Sequence, residues 1–91
     1  MTRVNGVITE DVRVKAIKES PIEIGAWIKI QQEDGKECSG LICNYASLEY
    51  CYLHEDKLEK GALVEITGVM IPREDCDFMI VDEGVGVRIL N

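Results

Sequence analysis

The chain has 91 residues, 17 acidic and 10 basic, for a formal charge of −7. That length suits one domain with one modest core, burying roughly 60–65% of the surface that the unfolded chain exposes. The charge argues against binding by uniform phosphate attraction, because non-specific affinity for nucleic acid comes from lysine and arginine displacing counterions; a local basic strip on an acidic body is still allowed. No apolar run reaches the roughly 20 residues of a membrane span. Met1-Thr2-Arg3-Val4 lacks the apolar core of a signal peptide. The expectation is therefore a cytoplasmic protein without a membrane partner, in which Cys38, Cys43, Cys51 and Cys76 are thiols.

Turn signals are closely spaced: Gly6, Ser20-Pro21, Glu33-Asp34-Gly35, Gly61, Pro72 and Glu83-Gly84. Short apolar alternations between them predict an all-β barrel or sandwich. The first strand region runs from Arg3 to Lys18, with Val4, Ile8, Val12, Val14 and Ala16 at even positions and Arg13 and Lys15 pointing the other way. Glu10 breaks the apolar register, which predicts a bend or bulge near Thr9-Glu10-Asp11, or else a tight turn making two short strands. Ser20-Pro21 interrupts pairing, since proline has no ladder donor. The second strand is Ala26 to Gln31, with Ile28 and Ile30 inward and Trp27, Lys29 and Gln31 outward. Glu33-Asp34-Gly35 supplies a hairpin turn, and the third strand follows from Glu37 to Cys43, where Gly40 marks a bulge or a close backbone approach. A short helix is expected within Asn44–Leu58, capped by Asn44 or Ser47 and closed by Gly61. The fourth strand is Ala62 to Ile71, stopped by Pro72. An acidic loop from Arg73 to Asp77 leads to a last strand region, Phe78–Val81 and Val85–Leu90, split at Asp82-Glu83-Gly84.

The stretch Leu58-Glu59-Lys60-Gly61-Ala62-Leu63-Val64-Glu65-Ile66-Thr67-Gly68-Val69 carries a glycine and then a period-2 apolar run. With Gly6-Val7, Trp27-Ile28-Lys29-Ile30, Asp34-Gly35 and Val87-Arg88-Ile89-Leu90, it resembles the OB fold over nearly the whole chain. The resemblance implies an all-β (or small α+β) five-stranded Greek-key barrel with a short helix between its third and fourth strands. In style it is closest to anticodon-binding and single-strand-binding OB domains, and it points to no one family within the fold.

The functional expectation follows from sidedness. If the first two strands pair, Arg13, Lys15, Trp27, Lys29 and Gln31 share an outer surface. Single-stranded nucleic acid needs an aromatic platform for bases and cations for phosphates, and this set supplies both. The competing reading packs Trp27 under the Tyr45–His54 segment or a loop, with solvated lysines beside it. Tyr45, Tyr50 and Tyr52 either widen the platform, contact another protein, or cover the core. Cys38, Cys43, Cys51 and His54 invite a zinc reading, but there is no CxxC pair and Cys38 and Cys43 have opposite parity on one strand, so buried apolar thiols are expected. A Cys51–His54 nucleophile–base pair has no orienting third group by motif. The acidic pairs Glu10-Asp11, Glu33-Asp34, Glu55-Asp56, Glu74-Asp75 and Asp82-Glu83 serve turns and solubility, and they confine any phosphate contact to the Arg13/Lys29 side. The sequence thus reads as a noncatalytic module without cofactor or metal, binding single-stranded nucleic acid. The alternative is a protein-interaction or assembly domain, homodimeric or with a protein partner, that uses its tyrosines or an open strand edge.

Overall fold

The computed structural model describes residues 1–91, in the order β1 (Thr2–Ile8), β2 (Lys15–Glu19), β3 (Ile22–Gln32), β4 (Glu37–Ile42), α1 (Tyr45–Leu53), β5 (Leu63–Ile71), β6 (Cys76–Val81) and β7 (Val87–Ile89). Five strands close a barrel in the order β1-β3-β4-β6-β5, and β5 pairs back to β1. Every barrel pairing is antiparallel except β4 with β6, which is parallel. Counting barrel strands only, the first touches the second and fourth, the third lies parallel to the fifth, and α1 sits between the third and fourth. This is an all-β barrel of the OB type.

Alternation builds the core. Val4 and Ile8 of β1, Ala26, Ile28 and Ile30 of β3, Cys38 and Ile42 of β4, Val64 and Ile66 of β5, and Met79 and Val81 of β6 are all buried. Their neighbours along each strand point out, as a two-residue period requires. Leu58, Val12, Cys51, Ala62 and Val87 complete the same cluster from outside these strands.

The first strand region is neither one bent strand nor two strands joined by a tight turn. β1 ends at Ile8, and β2 starts only at Lys15. Residues 9–14 between them are anchored: Thr9 N donates to the Lys29 carbonyl (2.9 Å), Val12 N donates to the Leu58 carbonyl (2.9 Å), and the buried Val12 side chain plugs the core. β3 pairs with β1 through its C-terminal half and with β2 through its N-terminal half, so it starts four residues earlier than its apolar pattern suggests. Ser20-Pro21, joined by a cis peptide bond, does not stop the pairing but forms the two-residue turn of the β2–β3 hairpin. The missing proline donor costs nothing there, because a turn position has no ladder bond to lose.

Gly40 is a close approach and not a bulge. The β3–β4 register runs unbroken through Ile28↔Gly40, and a Cβ at Gly40 would lie 2.9 Å from Ile28 Cγ2. Gly35 takes positive φ (89°) in the β3–β4 turn, where Lys36 N donates to Asp34 Oδ1 at 2.9 Å. Asn44 occupies the N-cap position of α1 but makes no capping bond; its Nδ2 donates instead to the Gly84 carbonyl. The helix ends at Leu53, so Gly61 (φ 96°) does not close it. Gly61 lies in the turn before β5 and donates its N–H to the Ile8 carbonyl (2.9 Å). Asp77 belongs to β6 and not to the acidic loop: it is only 7% exposed, accepts a hydrogen bond from Gln32 Nε2 (3.0 Å) and pairs with Lys36 Nζ (2.9 Å).

Candidate nucleic-acid interface

Trp27 and Lys29 lie two residues apart on the outward side of β3, as the alternation predicts. Both are exposed, Trp27 to 40%. Arg13 reaches the same region from the 9–14 segment and Lys15 from the start of β2. Arg13, Lys15, Trp27 and Lys29 line one shallow depression of about 220 Å³ together with Glu10 and Asp11. Gln31 shares the outward face of β3 but lines a separate depression with Asn5, Val7 and Leu63. The barrel thus gathers four of the five sequence-derived residues and sets the fifth apart.

Carboxylates enter that depression. Lys29 Nζ is 2.8 Å from Glu10 Oε1, and the hydrogen bond and charge of Glu10 raise the lysine pKa. Arg13 Nη2 is 3.8 Å from Asp11 Oδ2, while its Nη1 donates to the carbonyls of Val12 (2.8 Å) and Glu55 (3.3 Å). The other Asp11 oxygen accepts from Lys60 N (2.8 Å). Asp11 and Arg13 are therefore built into the wall, whereas Glu10 and Lys29 hold only each other with their charged ends. Lys15 makes no ion pair.

Trp27 does not pack beneath the helix. Its ring meets Phe78 of β6 with centroids 5.7 Å apart and planes tilted by 57°. Ser39 of β4 pairs with both Lys29 and Phe78, and this small residue leaves room for the two aromatics to meet over β4. The Arg73 guanidinium lies 5.7 Å from the Phe78 centroid. Sequence reasoning overlooked Phe78, Arg73, Glu10 and Asp11 as neighbours of Trp27. Outward parity of Phe78 was visible in the alternation Asp77, Phe78, Met79; its proximity to Trp27 depends on the parallel β4–β6 pairing, which no local pattern reports.

The tyrosines lie elsewhere. Tyr45 and Tyr52 line an open apolar groove of about 800 Å³ between α1 and the β2–β3 hairpin, with Val14, Ile24, Leu48 and Leu53. Tyr50 packs against the core, and its hydroxyl accepts from Ile89 N (3.1 Å). His54 stacks on Tyr50 (4.3 Å between centroids) and bonds through Nδ1 to the Tyr50 carbonyl (2.8 Å). No hydrogen bond joins His54 to Cys51, whose thiol burial pushes up to about 12. Burial likewise raises Cys38 to about 11. Cys38 points into the core and Cys43 is exposed beyond the end of β4, the divergence their parity predicts. No three His, Cys, Asp or Glu side chains are grouped to hold a metal ion, and no helix is long and apolar enough to cross a membrane.

Comparison with protein-family models, with curated proteins and with solved structures finds no significant match for this chain.

Proposed function

We propose that this chain is a noncatalytic binding module for single-stranded nucleic acid, which it holds on the outer β3–β4–β6 face. The observation that carries the reading is the shared depression: a half-exposed indole on β3 bordered by Arg13, Lys15 and Lys29. Trp27 stacks a base, Phe78 extends the aromatic surface, and Lys15 and Arg73 approach phosphates. The OB fold adds only analogy, because one fold hosts many functions. With two of its cations already held by carboxylates, the site binds through stacking more than through phosphate, and its salt dependence is shallow.

The test is titration of labelled oligonucleotides against wild type and Trp27→Ala. Loss of one stacked base weakens binding by roughly 1–3 kcal/mol, a drop of about five- to 150-fold. Unchanged affinity with an intact fold overturns the platform, and no binding at low salt overturns the function.

A second reading, a protein-interaction or assembly module, is favoured by the apolar groove. Tyr45 (79%), Tyr52 (68%) and Leu53 (65%) are highly exposed in it beside Ile24 of the hairpin. Such surface is common at protein interfaces. Light scattering over a concentration range, with and without oligonucleotide, separates the two: a dimer indifferent to oligonucleotide supports this second reading.

A further inference from the structure

We infer that the depression beside Trp27 reads the edge of a guanine base, with Glu10 and Lys29 as the specificity-determining pair; this rests on the binding reading above. A phosphate entering the depression meets two carboxylates, those of Glu10 and Asp11, 60% and 54% exposed. The site therefore suits an uncharged group that offers donors and acceptors side by side. Its volume of about 220 Å³ is below the roughly 300–1,000 Å³ of drug-sized pockets, the scale of a single base.

A base stacked on Trp27 presents its edge in the plane of the stack, toward Lys29 on the same face of β3 and Glu10 beyond it. The Watson–Crick edge of guanine carries the O6 acceptor next to the N1–H and N2–H donors. A carboxylate accepts both donors at once, and an ammonium donates to O6. The Glu10–Lys29 pair offers this complement, acceptor beside donor, with the partners 2.8 Å apart and otherwise uncommitted. Guanine slides between them and exchanges one exposed ion pair for three charge-assisted hydrogen bonds. Cytosine and adenine each offer one amino group to the carboxylate, so they rank next. Uracil and thymine present one N–H between two carbonyls, which sets an oxygen against Glu10. Arg13 and Asp11 do not discriminate, because the wall already uses them.

Trp27 is the sole tryptophan, so its fluorescence reports occupancy of this site directly. The probes are guanosine monophosphate and pyrimidine octamers, DNA and RNA, with or without one central guanine; a single guanine avoids four-stranded structures. The guanine octamer binds roughly tenfold more tightly than the uracil or thymine octamer. Glu10→Gln abolishes most of that preference, read as the ratio of the two octamer affinities, and Lys29→Met weakens the preference independently. Urea midpoints check that both variants are folded. Equal affinity for both octamers, or a preference that survives in both variants, overturns the guanine inference and leaves the nucleic-acid reading standing. If no octamer quenches the indole, both fall. Guanosine monophosphate binding as tightly as the octamer supports the guanine assignment but overturns the strand as its source.

Discussion

The two halves of β3 carry the same apolar alternation with opposite outcomes. Ala26, Ile28 and Ile30 are wholly buried, whereas Ile22 (73%) and Ile24 (56%), four and two residues before Ala26 on the same side, are exposed. The C-terminal half pairs with β1 and β4 and closes the barrel; the N-terminal half extends past the barrel rim with β2 as its only partner beyond Gly25. An inward stripe is thus a statement about sidedness and not about burial: a residue is covered only if another layer of the fold lies over it. The outward stripe is also divided, since Trp27 and Lys29 sit over the β1–β2 connection while Gln31 opens onto another depression.

The contrast is sharpest in stability. Ile28→Ala is expected to cost about 2–5 kcal/mol in urea unfolding, through lost burial and an unfilled cavity. Ile24→Ala, the same change outside the barrel, should fall within about 0.5 kcal/mol. Similar costs would show that the hairpin stripe is covered in solution, as an assembly through the groove requires. Gly68→Ala tests the barrel wall from β5: a Cβ there runs into the Ile80 carbonyl of the adjoining strand. The expected loss is about 1–3 kcal/mol, read from the thermal midpoint. Trp27→Ala, on the open side, loses an aromatic contact worth about 0.5–1.5 kcal/mol together with the burial of its half-covered ring, and urea midpoints separate that loss from its binding defect.

The smallest effect concerns pH. Hydrogen bonds from Gln32 and Lys36 hold the Asp77 carboxylate below its ordinary 3.8. A depressed carboxylate contributes in full above its unfolded pKa and loses that contribution as pH falls through the folded value. Urea midpoints measured from pH 6 down to about pH 2 should therefore decline less steeply below about pH 4 in Asp77→Asn than in wild type. Parallel profiles would show that Asp77 is not coupled to folding.

Much of the barrel was legible because alternation is local. The inward residues Ile28 and Ile30 of β3, the alternation of β5, the Asp34-Gly35 turn and a short helix after β4 all follow from spacing along the chain. Segment 9–14 was not legible: Glu10 broke the pattern, but what pins Val12 inside is the Leu58 carbonyl, contributed by a distant turn. The acidic pairs do lie outside strands and helix, yet Glu10-Asp11 lies within the basic cluster to whose side those pairs were expected to confine phosphate. Asp11 is a neighbour of Arg13 along the chain, but only folding brought Glu10 to Lys29.

By itself, the sequence determined which side chains share a face, since a two-residue period follows from the geometry of an extended chain. Tertiary structure alone decided which faces are covered and which faces meet. The union of Trp27 with Phe78, the ion pair of Lys29 with Glu10 and the exposure of Ile24 all come from strands and loops brought together across the barrel. Pairing partners are chosen by the closure of the whole sheet, and no residue carries that information in its immediate neighbours.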